Sequence, residues 1–137
     1  MTTVDKQVTI SDKAELTFEA RLIASGDGYI ANIELLSEEI NFYKIEGYDL
    51  LDSFTKLRQL LEEKQLFILC QGAAKNVHAS GMARDMSFGL KAYSLELNKK
   101  ASLDQLVEIF DPAPIEIVCS IEEQRAFLEK WIASPKY

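Results

Sequence analysis

The chain has 137 residues, of which 47% are apolar and 27% charged, and its formal net charge is −7. That length suits one domain able to withdraw roughly two thirds of its unfolded surface from water, and the composition excludes a disordered chain. The acid excess argues against duplex nucleic acid as a partner, because that affinity comes from neutralising phosphates.

The opening, MTTVDKQVTI, has neither the basic start nor the apolar run of a secretion signal, and no stretch reaches the roughly 18 apolar residues of a membrane span. The expectation is a cytoplasmic protein without a membrane contact. Gln7 to Ile10 reads as a short strand. From Lys13 to Ala24, Leu16, Phe18, Ala20 and Leu22 alternate with Glu15, Thr17, Glu19 and Arg21, the period of a strand with one buried face. Ser25-Gly26-Asp27-Gly28 supplies a tight reversal. The alternation then resumes, with Tyr29, Ala31, Ile33 and Leu35 on one face of a strand ending at Leu36. Ile40 to Ile45 is a further short strand.

A helix is predicted from Asp49, the N-cap, to Lys64. Leu50, Leu51, Phe54, Leu57, Leu60 and Leu61 form its apolar stripe, and Asp52, Lys56, Arg58, Gln59, Glu62 and Glu63 its wet side. Leu66 to Cys70 is apolar throughout, as in a strand buried on both faces. Gln71 to Gly89 is a long loop expected to be ordered, and Leu90 to Leu97 is a strand. Ser102 with Gln105 fits a capping box, opening a helix that carries Leu103, Leu106, Val107 and Phe110 and stops before Pro112. Ile115 to Cys119 is a strand. Ser120 with Glu123 opens a last helix lined by Phe127, Leu128, Trp131 and Ile132. The step from Leu90 to Cys119 reads as a parallel crossover. The expected fold is therefore α+β: one domain over residues 1–137, with a mixed, mostly antiparallel sheet of about 4–6 strands and about three helices packed on it.

Little in the chain points to catalysis. Two cysteines, Cys70 and Cys119, end apolar runs and read as reduced core thiols. The single histidine, His78, has no C-x-x-C or second histidine beside it, so no metal is expected. Ser80 and Cys70 lack a nucleophile elbow, and Gly72, Gly81 and Gly89 are too widely spaced for a nucleotide fingerprint. We expect no catalytic residues, no enzymatic activity and no cofactor. Lys75, His78 and Arg84, with Lys91 beyond them, could form a small anion pocket in the long loop. The acidic set Glu34, Glu38, Glu39, Glu46, Asp49 and Asp52, relieved by Lys44 alone, reads as an electrostatic docking surface for a basic partner.

The segment from Cys70 to Leu95, and within it S-G-M-A-R-D-M (Ser80 to Met86) followed by G-L-K-A-Y (Gly89 to Tyr93), resembles bacterial immunity-type proteins. These accompany polymorphic and contact-dependent growth-inhibition toxins. The resemblance covers about 25 of the 137 residues and assigns no functional residue. It implies a cytoplasmic protein that binds one cognate, basic, nuclease-type toxin domain and blocks it. The competing readings are a small-molecule or anion-binding domain using residues 71–89, and a homo-oligomeric structural subunit.

Overall fold

The computed structural model describes residues 2–137. Its first half is a meander of four strands, β1 (Thr2–Ser11), β2 (Thr17–Gly26), β3 (Ala31–Leu36) and β4 (Tyr43–Gly47). The register pairs Ile10 with Phe18, Val8 with Ala20 and Leu22 with Leu35, so the alternation seen in the sequence places one apolar set on a single face. Both tight connections are built by aspartates. Asp12 accepts the amides of Ala14 and Leu16, and Asp27 those of Tyr29 and Ile30, while Gly28 takes φ +94°. The strands shift by a few residues from the expected bounds, and Tyr29 falls in the turn, 84% exposed, instead of on the inward face.

Helix α1 (Leu50–Glu62) covers the inward face. Asp49 caps it as expected, and Leu50, Phe54, Leu57 and Leu61 are buried to 1% exposure or less. Leu60 lies at the margin of the stripe and is exposed. Arg58, assigned to the wet side, is instead buried.

After α1 come β5 (Phe67–Ile68), β6 (Val77–His78), helix α2 (Gly81–Ser87), β7 (Lys91–Ser94), β8 (Leu106–Glu108) and helix α3 (Ile121–Ala133). The strands form two sheets, ordered β4-β3-β2-β1-β5 and β6-β7-β8. This is an α+β domain with three helices and two antiparallel sheets.

Several expectations for the second half are corrected. The segment from Leu66 to Cys70 is not interior to its sheet but its last strand, pairing Ile68 with Ile10. Residues 109–113 close that edge: the Leu69 carbonyl accepts from Ala113, and Cys70 bridges to Pro112. The helix expected from Ser102 is a 3-10 turn (Leu103–Gln105) followed by β8. The Ser102 hydroxyl turns to the Asp104 carboxylate rather than capping a backbone amide. Ile109 and Phe110 are buried in succession after β8, with Phe110 set edge-on to Phe54 at 5.4 Å. The strand expected at Ile115 to Cys119 begins as a 3-10 turn after Pro114, which has no amide to give a ladder, and only Val118 bridges back, to Ala74. With these changes the parallel crossover disappears: β7 pairs antiparallel with both β6 and β8.

Cys70 and Cys119 are both free and buried. Burial pushes the Cys70 thiol up to about 12 and raises Cys119 as well. Since the thiolate is the reactive form, neither sulfur should be labelled by an aromatic disulfide reagent at neutral pH in the native protein. Both should react in denaturant. Labelling of the folded chain would remove the core assignment.

Candidate binding cleft

The 71–89 segment is ordered by its own chemistry and contains a helix. Ser80 caps α2 by accepting the Ala83 amide at 3.0 Å, and Ala83 is buried. One turn on, Arg84 turns inward and grips the carboxylate that caps α1: Nε donates to Asp49 Oδ2 and Nη2 to Asp49 Oδ1, each at 3.0 Å. The same guanidinium donates to the Tyr48 hydroxyl at 2.8 Å and lies over its ring. The bond to Asp49 raises the Arg84 pKa further above its ordinary value. Phe88 ends α2 in the left-handed region, and its ring occupies the space where a side chain on Gly26 would stand. Its carbonyl accepts the Leu50 amide, the first of α1. Gly89 follows at φ +82°, and a Cβ there would lie 2.6 Å from the Leu51 nitrogen.

Thus Ser80, Ala83, Arg84, Phe88 and Gly89 splice the end of α2 onto the start of α1. The residues of α2 left over by that task are Met82, Asp85 and Met86. Met82 is 69% exposed and Met86 82%. Together with Phe88, Tyr93, Leu103 and Leu106 they line a cleft of about 500 Å³ between α2 and the β7–β8 strands. A second, more polar cleft of about 460 Å³ adjoins it, lined by Tyr48, Asp49, Arg84 and Asp85, and the two share Gly28, Asp85 and Phe88. Tyr29, Ile30, Tyr48 and Leu103 are also exposed. Monomers scatter single apolar side chains over their surfaces, but a cluster lining a cleft marks an interaction site.

The acidic set divides. Glu38, Glu39 and Glu46 are exposed, with the half-exposed Glu34 opposite Lys44 across β3 and β4. Exposed Phe42 lies in the β3–β4 connection near them. Asp49 is a correction: its carboxylate is buried beneath Arg84 and also accepts the Asp52 amide at 2.7 Å, so it offers no charge to a partner. Asp52 is largely covered, accepting the Tyr48 amide and pairing with Lys56 at 3.2 Å.

The proposed anion ligands are likewise separated in role. Lys75 is exposed, and its carbonyl accepts from His78 Nε2 at 3.2 Å. The His78 ring stacks on Phe127, and burial lowers its pKa, which disfavours the cation that an anion would need. Arg84 commits Nε and Nη2 to Asp49 and Tyr48 and lines a different cleft from His78.

Beside His78 lies the centre that sequence reasoning missed. Arg58 donates to the Gly72 and Cys119 carbonyls at 3.2 and 3.0 Å and to Gln124 Oε1 at 2.7 Å, with Glu62 at 3.5 Å. Gln124 donates in turn to the carbonyls of Gly72, Ala74 and Val77. Glu62 accepts the Ile121 amide at the start of α3. Burial lowers the Arg58 pKa, and Glu62 opposes that shift. Apart from the Arg58–Glu62 pair within α1, these contacts join α1, the 72–77 segment, the Cys119 carbonyl and α3 to one another, so the cluster is a structural tie.

No protein-family model matches the chain, and no curated protein matches it. Among the described residues, no helix is long and apolar enough to cross a membrane, and no three His, Cys, Asp or Glu side chains group as metal ligands.

Proposed function

We propose that this protein is a binding module of the immunity type, which works in the cytoplasm by docking on a basic, nuclease-type toxin domain and covering its active site. The observation that carries the reading is the division of labour within α2. Ser80, Ala83 and Arg84 are spent on fixing the fold, while two flexible thioethers and a carboxylate are held out beside an apolar cleft. Methionine adapts its shape to a partner surface, and aromatic neighbours such as Tyr29 and Tyr48 supply rigid contact area at little entropic cost. The exposed carboxylates Glu38, Glu39 and Glu46, with Glu34, would steer a basic partner and raise its encounter rate.

The test is co-expression with the product of the adjacent upstream gene, scoring growth and complex formation. The expected result is that the upstream product arrests growth alone and that this chain restores it by forming a complex. A harmless upstream product, or protection without a complex, would end the immunity reading.

A further inference from the structure

We propose that the cleft between α2 and the β7–β8 strands receives an apolar anchor flanked by lysine or arginine side chains, carried on a segment of the partner protein. This deepens the binding-module reading and rests on it. The apolar part follows from the walls: Met82 and Met86 stand one turn apart on α2 and line the cleft together with Leu103, Leu106 and Tyr93, which pairs with Leu106, and the two methionines are among the most exposed large apolar side chains of the chain. An anchor residue placed there would bury surface that now meets water, which is the main source of affinity at interface centres.

The charge of the occupant follows from what surrounds that apolar floor. Asp85 lines both clefts and is exposed. Asp104 follows Leu103 in the 3-10 turn, Asp27 precedes Gly28 at the opposite lip, and Glu108 stands across from Lys91 in the β7–β8 register. Among the residues lining the larger cleft Asp85 is the one acid and Lys91 the one base, and Lys91 stands opposite Glu108 in register, so the surplus acid comes from Asp104 and Asp27 at the margins. An acidic segment would meet like charge here, as would an anionic lipid surface. A second copy of this chain, itself at −7, would also be opposed at long range. A basic-flanked apolar segment satisfies both the floor and the rim.

The chain has three methionines, Met1, Met82 and Met86, so methyl NMR of methionine-labelled protein reads the cleft directly. The probe is a synthetic amphipathic leucine–lysine peptide, compared with a leucine–glutamate peptide of the same pattern and a serine–lysine peptide. The leucine–lysine peptide should shift the Met82 and Met86 methyls saturably, and the other two should not. Met82→Ser with Met86→Ser should weaken that binding by about tenfold or more, while Asp85→Asn with Asp104→Asn should weaken it chiefly at low salt. All four positions are exposed, so the variants should keep the wild-type unfolding midpoint.

Equal binding of the glutamate peptide would overturn the charge assignment, and binding of the leucine–lysine peptide without movement of the Met82 and Met86 methyls would overturn the site. Methyl shifts that follow protein concentration alone would identify a second copy as the occupant and overturn the proposal. The two readings fail separately. A complex with the upstream product that survives both Met→Ser changes sinks the cleft and leaves the immunity role. Peptide binding at the cleft, with a harmless upstream product, does the reverse.

Discussion

Arg58→Ala should destabilise the fold by about 3–5 kcal/mol, the range for removing one partner of a buried charge pair. Three elements meet at this guanidinium, and its loss leaves the Cys119 carbonyl without its side-chain donor and Glu62 without its cation. Glu62 Oε2 already has no hydrogen-bond partner, so its compensation comes from the Arg58 charge alone. Arg58→Met keeps much of the aliphatic volume and should recover only part of the loss, because the missing quantity is charge and donors. Urea unfolding of the three proteins checks this. A cost below about 1 kcal/mol for Arg58→Ala would mean that water replaces the guanidinium and that the tie between α1 and α3 is incidental.

Gly89→Ala is the second large effect. A left-handed φ costs a non-glycine residue of order 1–3 kcal/mol. Here the added methyl would also press on the Leu51 backbone at 2.6 Å, which cannot move without opening the first turn of α1. We expect a total of about 3 kcal/mol or more, with the Asp49–Arg84 grip loosened in the same step. Gly81→Ala is the control. It opens α2, at the other end from Gly89, with nothing within 4 Å of a new Cβ, and should change stability by less than about 1 kcal/mol, in the stabilising direction. Equal losses at the two glycines would show that the α2–α1 splice does not depend on close approach.

These two sites also mark where sequence reading stops. β2, β3 and α1 were legible because their signals are local: a period of two, the Ser25–Gly28 turn, a capping aspartate before a leucine stripe; only Gln7 to Ile10 of β1 was read, and Leu16, placed on the buried face, lies in the turn before β2 and is exposed. Arg58 was not, since its spacing puts it on the polar side of α1 and its acceptors are carbonyls 14 and 61 residues away. Residues 102–119 failed for a related reason. Ser102 and Gln105 have the right spacing for a helix start, but β7 needs a partner, and Leu106 to Glu108 pairs with it. The acidic surface was half legible: Glu46 in β4 and Glu38 and Glu39 in the connection before it do face water, whereas Asp49 was claimed by an arginine 35 residues on. Met82 and Met86 escaped notice because a helix of seven residues is too short to register as a pattern. The segment singled out by its resemblance turned out to carry both the splice and the cleft.

On the proposed function, the α2 cleft and the acidic β3–β4 face together dock a basic protein. Amide hydrogen exchange of the purified complex with the upstream product tests it most directly. The expected result is slowed exchange across residues 81–94 and 43–48, with α3 from Ile121 to Ala133 unchanged. A footprint confined to α3, or no complex to measure, would contradict it.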